Sequence, residues 1–166
     1  MPERLITINW RPCRKQIMKM TPIYSMLLMV TIIAGCAGRV PTLGVENDRL
    51  APCPDSPNCV NSQAQADDEH FIPPIKYTGT REAARERLLA IIQNTSRTRV
   101  LTSTEDYIRV EYTSLLLRFV DDVEFFLPED PVIHVRSASR SGYSDLGVNR
   151  RRVEDIRARF SAAEED

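Results

Sequence analysis

The chain has 166 residues, of which 42% are hydrophobic, and it balances 22 lysines and arginines against 23 aspartates and glutamates. A formal charge of −1 excludes the broadly basic surface that nucleic-acid binding draws on. The length allows one domain with a modest core and leaves no room for two.

The N-terminus reads as a targeting device. Arg11, Arg14, Lys15 and Lys19 form a positive region, with Met18 and Met20 as further candidate starts. Ile23 to Ala34 is an apolar run too short to span a bilayer core of roughly 30 Å as a helix. It closes on Ile33-Ala34-Gly35-Cys36, a bacterial lipobox, in which cleavage falls before Cys36 and the new terminal thiol is acylated. Residues 1–35 are then a lipoprotein signal peptide. Two or three acyl chains, at roughly 0.8 kcal/mol per buried CH₂, give a stable palmitate-type membrane anchor. Ala37 in place of Asp after the cysteine points to the outer membrane of a Gram-negative envelope, with the protein facing the periplasm. An uncleaved anchor or a plain secretory signal is the alternative.

The leader holds five of the 22 cations and one of the 23 anions, so the exported part carries 17 against 22, a net charge of −5. Sixteen of those 17 cations are arginines, and Lys76 is the single lysine. With Cys13 in the leader and Cys36 acylated, Cys53 and Cys59 remain, and an oxidising compartment makes them a disulfide. A metal site would need two more ligands when the only histidines are His70 and His134, and a redox pair would have the tighter Cys-x-x-Cys spacing.

Residues 36–51 read as a flexible tether and 52–166 as the domain, beginning with a polar, Pro-punctuated loop from Cys53 to His70. Ile72 to Tyr77 is expected as a Pro-interrupted edge strand. Thr80 is a helix cap, with Ala84, Leu88, Ile91 and Ile92 on one face up to about Asn94. Thr98–Thr104 and Tyr107–Thr113 are strands around a Glu105-Asp106 turn, followed by strands at Phe119–Leu127 and Val132–Ala138. Ser141–Gly147 is a loop, and Val148–Phe160 a last helix that turns Val153, Ile156 and Phe160 inward. The class is α+β, with a mainly antiparallel sheet of four to five strands and two helices packed on one face.

Three stretches occur in order: Cys-Pro-Asp-Ser-Pro-Asn-Cys-Val at 53–60, Phe-Val-Asp-Asp-Val-Glu-Phe at 119–125, and the serine- and arginine-rich run from His134 to Arg152. Together they resemble the bacterial and plastid family called domain of unknown function 1499, over roughly residues 51 to 160. The resemblance implies a small α+β domain, often behind a signal or anchor. It implies no activity and no catalytic residues.

The residues themselves raise two possibilities. Strand alternation puts His134 and Arg136 on one face, and Asp122 and Glu124 on one face of the preceding strand. A hairpin would set the pairs across from each other, as charge pairing on a solvated face or as an acid/base group. Asn149 is an expected N-cap followed directly by Arg150, Arg151 and Arg152, cations that oppose the helix dipole unless they bind carboxylates or an anion. Arg136, Ser137, Ser139, Arg140 and Ser144 would add donors to such a ligand site, and Asp145 would cap or turn the loop. No Gly-x-Ser-x-Gly elbow, Walker loop, dinucleotide glycine pattern or zinc motif is present, and nothing requires a metal or a cofactor.

Three readings follow. One is a lipid-anchored envelope lipoprotein that binds an anionic small molecule, a lipid or an envelope protein through its arginine-bearing face. Another is an envelope enzyme using Asp121, Asp122 or Glu124 with His134 and Arg136. The third is a structural or assembly factor whose motif maintains the fold.

Overall fold

Capping and apolar spacing decide where the elements begin in the computed structural model, which describes residues 41–66 and 68–165. The expected signal peptide and Cys36 lie outside the described residues. Thr80, in extended conformation, accepts a hydrogen bond from Ala83 N and so satisfies a helical amide that has no other partner. Helix α1 then runs over Arg81–Gln93 and stops at Asn94, whose backbone and side-chain nitrogens both donate to Ala90 O.

Eight strands surround it in sequence. A small hairpin comprises β1 (Val45–Glu46) and β2 (Arg49–Leu50), followed by β3 (Cys59–Asn61) and β4 (Ile75–Lys76). After α1 come β5 (Thr98–Ser103), β6 (Tyr107–Thr113), β7 (Val120–Phe126) and β8 (Val132–Ser139), and the closing helix α2 (Val148–Glu165). The main sheet has six strands, all antiparallel, in the order β3-β8-β7-β6-β5, and β4 pairs with the beginning of β8.

One face of this sheet makes the core. Ile108, Val110, Val123, Phe125, Ile133 and Val135 meet Leu88, Ile91 and Ile92 of α1 and Val153, Ile156 and Phe160 of α2. Each such side chain, once buried, contributes roughly 1.5–3 kcal/mol. The expected α+β architecture, with both helices on one face, is the one observed.

The N-terminal half departs from the sequence reading. Part of the expected tether is folded: residues 45–50 form the β1–β2 hairpin, and Leu50 is buried against Tyr107 and Phe126. The Cys53–His70 stretch, read as loop, supplies β3, which pairs Cys59, Val60 and Asn61 with Ala138, Ser137 and Arg136. The sheet therefore exceeds the four to five strands expected. The strand expected at 72–77 shrinks to two residues, because Pro73 and Pro74 lack the amide a ladder needs. The disulfide joins Cys53 to Cys59 and closes the loop in front of β3.

Candidate functional site

The charged motif occupies both faces of β7 and β8, because alternation sends neighbouring residues to opposite sides. On the face away from the helices, register sets Glu111 of β6 directly opposite Asp122 of β7, and Glu124 between Arg109 and Arg136. Like charges opposite each other destabilise a sheet unless a cation intervenes. Arg140 intervenes: its Nε and Nη2 donate to Asp122 at 2.7 and 2.8 Å, and Nη2 also donates to Glu111. Arg109 donates to Asp122 at 2.8 Å and Arg99 to Glu111 at 2.8 Å. Tyr107 Oη donates to Glu124 Oε1 at 2.8 Å and Arg136 Nη1 to its Oε2 at 3.2 Å.

A solvated charge row is one of the two sequence expectations for this face, but Asp122 and Glu124 are 1% and 0% exposed. Residues 50–52 lie over part of it: Leu50 packs on Tyr107 and Phe126, and Pro52 O accepts from Arg136 Nη2 at 3.5 Å. Burial alone would raise the Asp122 carboxyl, yet the hydrogen bonds and charges of Arg140 and Arg109 outweigh it and hold Asp122 below its ordinary range. Glu111 is lowered in the same way, burial being outweighed by Arg140 and Arg99. Glu124 goes the other way, its pKa raised by burial that Tyr107 and Arg136 offset only in part.

On the helix-facing side, Asn149 is the hub. Its Nδ2 donates to Asn58 O at 2.9 Å and to Ser139 Oγ at 3.0 Å, while its Oδ1 accepts from Ser137 Oγ at 2.6 Å and from Arg152 Nη1 at 2.5 Å. Arg152 continues to Asp121 Oδ2 at 2.5 Å and lies 4.7 Å over the Tyr112 ring. Burial pushes the Tyr112 hydroxyl up to about 12, with Arg152 pulling against it.

Asn149 is therefore not the N-cap expected of it. Asp145 performs that task, its carboxylate accepting from Gly147 N at 2.9 Å and Asn149 N at 2.6 Å, as expected for a capping or turning residue. Gly147 holds φ at +77°, a conformation that side-chain-bearing residues resist. This frees the Asn149 side chain to point into the protein. Ser144 Oγ accepts from Leu146 N, inside the same turn.

The nine residues read as a ligand site are thus divided among several places. Ser137, Ser139, Asn149 and Arg152 meet in one buried cluster, while Arg136 and Arg140 lie across the sheet from them. Arg150 donates to Phe71 O at 2.8 Å and Glu69 O at 2.7 Å, and Arg151 to Leu146 O at 2.8 Å. The three consecutive cations at the start of α2 each reach an internal acceptor.

The acid/base grouping is divided too. Asp121 faces Arg152 on the helix side, opposite Asp122 and Glu124. His134 lies opposite Phe126 in the register, and its Nδ1 is 3.2 Å from Ser62 Oγ. Ser62 Oγ accepts from Val135 N and also bonds His134 Nδ1, in a direction set by the ring's tautomer. Burial lowers the His134 pKa, and nearby Arg49 adds to the effect. Among the described residues, the one histidine nitrogen within 4 Å of a carboxylate is His70 Nε2, 3.8 Å from Glu69.

Sequence reasoning missed a cleft of about 730 Å³ between residues 42–53 and 61–70. Its polar groups brace their own walls: Gln63 bonds Leu50 N and Asp48 O, Asn61 bonds Ala51 O and Gln63 N, and His70 Nδ1 lies 2.9 Å from Cys59 O. The segments that line it were read as tether and loop, so nothing in the apolar pattern marked it.

The family model described as protein of unknown function (DUF1499) matches residues 49–160, more than half of the chain, and the chain belongs to that family. The match runs from β2 into α2 and so contains the disulfide, both faces of the charged motif and the Asn149 hub. No curated protein matches the chain.

Proposed function

We propose that this DUF1499 domain is a lipid-anchored envelope module, facing the periplasm, whose arginine-rich motif maintains the fold instead of offering charge to a small anionic ligand. One observation carries the second half of that reading. Arg136, Arg140, Arg150, Arg151 and Arg152 all end on acceptors within the domain. A ligand phosphate would have to displace carboxylates or backbone carbonyls that already accept from these guanidinium groups, at a cost of about 1.5–3 kcal/mol for each charged bond lost. The first half comes from the sequence, in the lipobox ending at Cys36. The protein then contributes to the envelope through its position and its surfaces, as a structural or assembly component.

One set of full-length proteins tests both halves. Wild type should carry diacylglycerol-sized mass at Cys36 and fractionate with membranes, and Cys36→Ser should lose both properties. A triple variant with Arg150, Arg151 and Arg152 changed to Gln should unfold at lower urea, with inorganic phosphate producing no wild-type stabilisation to lose. Phosphate that stabilises the wild type in low salt, but not the triple variant, would restore the anion-site reading. Membrane retention of Cys36→Ser through an acyl chain would remove the anchor.

A further inference from the structure

Several connections leave the sheet at the same end. The 114–119 turn joins β6 to β7, and residues 140–147 join β8 to α2. Arg140 N donates to Val120 O at 3.0 Å, which sets these two side by side, and Arg97 O accepts from Thr113 N at 3.0 Å beside them.

This end carries the large apolar side chains that the fold leaves out. Leu115, Leu116 and Leu117 are 67%, 86% and 66% exposed, and Tyr143 and Leu146 are 77% and 84% exposed. Phe119 and Val148, at the roots of the same connections, are partly exposed. Of the exposed large apolar residues among those described, only Val100 lies elsewhere. Single exposed leucines are ordinary, but seven apolar side chains gathered at one end mark an interaction surface. The tip is held in place: Ser114 N donates to Phe119 O and Phe119 N to Ser114 Oγ, both at 2.8 Å, which closes the turn beneath the three leucines.

Two further observations select the occupant. Among the described residues, Arg97 and Arg118 are the arginines whose side chains have no hydrogen-bond or ionic partner, and both are exposed at this end. The acids at this end include Asp55, exposed in the disulfide loop, Asp145, bonded to two backbone amides, and Asp121, paired with Arg152. The chain also enters here. Thr42 lines the same cleft as Cys53, Cys53 is bonded to Cys59, and Cys59 pairs with Ala138, next to the last residue of β8. Thr42 lies six positions beyond Cys36, a stretch that reaches at most about 20 Å.

We propose that this end of the sheet rests on the bilayer interface, with Leu115, Leu116 and Leu117 entering the acyl boundary and Arg97 and Arg118 meeting anionic headgroups. Leucines, two aromatic rings and unpaired guanidinium groups are the composition that partitions into that layer, to a depth of about 5–10 Å. The geometry rests on the lipid-anchored reading, because a short tether from Cys36 keeps this end near the membrane and makes its contact effectively intramolecular. Anchor and loops together would fix the orientation of the domain, with the β7–β8 turn facing the periplasm.

The test uses full-length protein in phospholipid vesicles, zwitterionic or partly anionic, with and without brominated acyl chains. Leu116→Trp places a reporter at the tip, Glu129→Trp places one on the β7–β8 turn, and wild type reports any contribution from Trp10. Brominated chains should remove most of the Leu116→Trp emission and leave Glu129→Trp unchanged, with the effect greater on anionic vesicles. Equal quenching at both positions, or none at Leu116→Trp, overturns the proposal. Disulfide cross-linking of Leu116→Cys between two chains, with the Trp reporter unquenched, would also overturn it and assign the surface to a second copy. Mass measured at Cys36 on the same sample separates the two readings. An acylated protein with an unquenched tip ends the docking proposal and leaves the anchor standing. An unacylated protein ends the anchor, and quenching on added vesicles still decides the docking.

Discussion

Arg140 is the residue on which the buried charge row depends, and its removal can be worked through quantitatively. It lies between Glu111 and Asp122, which the β6–β7 register makes direct cross-strand partners. Replacing it with Met keeps most of the volume and removes the fork. The two carboxylates then face each other at the cross-strand spacing of about 5 Å, which corresponds to about 3 kcal/mol of repulsion at an effective dielectric near 20. Breaking a buried pair by removing one partner costs about 3–5 kcal/mol in general. Arg99 and Arg109 stay bonded to the same carboxylates, so the lower figure, about 3 kcal/mol, is expected. Against a total stability of about 5–15 kcal/mol, a loss of that size is easily measured.

The sign of the pH dependence distinguishes charge from packing. In wild type the Glu111 and Asp122 pKa values are lowered, so their contribution is complete above the unfolded carboxyl range and is lost as pH falls through the folded values. In Arg140→Met the pair repels and its first folded pKa rises above the unfolded value, so protonation favours the fold. The deficit relative to wild type should therefore be greatest at pH 7 and shrink towards pH 4. Adding Glu111→Gln to Arg140→Met should recover a large part of it. Urea titrations followed by far-UV circular dichroism are the assay, since the only tryptophan is Trp10, within the expected leader. A deficit below about 1 kcal/mol, the scale of an exposed pair, or one that stays constant from pH 7 to 4, would refute the reasoning.

Asn149→Ala removes the hub of the other polar cluster: the Ser137 hydroxyl loses its acceptor and the Ser139 hydroxyl its amide donor, while Asn58 O keeps Ser139 N. With about 1–3 kcal/mol for each buried group left unsatisfied, a loss near 3 kcal/mol is expected in the same titrations. A loss under 1 kcal/mol would mean that water replaces the amide. His134 has a lowered pKa, so its contribution is present above the unfolded value near 6.5 and declines as pH falls below it. His134→Gln should flatten the stability profile between pH 7 and 5.5. An unchanged slope there would assign that slope to other groups.

Part of this structure was legible in the chain for simple reasons. Helix α1 combines a Thr80 cap with four apolar residues at helical spacing, and β6 is a run of seven residues bounded by turn signals. The three-residue β3 has neither period nor length, and only its pairing with β8 makes it a strand. Alternation in β7 correctly separated Asp122 and Glu124 from Val123 and Phe125. It could not show that the charged side is covered, because the covering groups come from distant stretches: Leu50, Pro52, Arg109 and Arg140. A signal for the opposition of Glu111 and Asp122 was present, since pairing two seven-residue strands across a short turn fixes the register. Asn149 was misread because the motif contains two residues able to cap, and the one that does so, Asp145, stands before a glycine that lets the chain turn.

The near-absence of lysine has a physical account in these contacts. A guanidinium presents donors in a planar fork, so one side chain can join two acceptors, whereas an ammonium is a compact charge on a flexible stem. Arg157 joins Pro73 O and Pro74 O, and Arg150 joins Glu69 O and Phe71 O, tying the irregular 69–74 segment to α2. Arg159 reaches Ile91 O and Thr95 Oγ1 at the end of α1, where helical carbonyls lack amide partners. Arginine therefore adds polar links to apolar burial between the segments of a domain with a long irregular N-terminal half. Cations used in this way are no longer available to an external anion. Among the described residues, Arg97 and Arg118 are the arginines without such a link, and they stand beside the exposed leucines of the 114–119 turn, whereas Lys76, also without an internal partner, lies on β4.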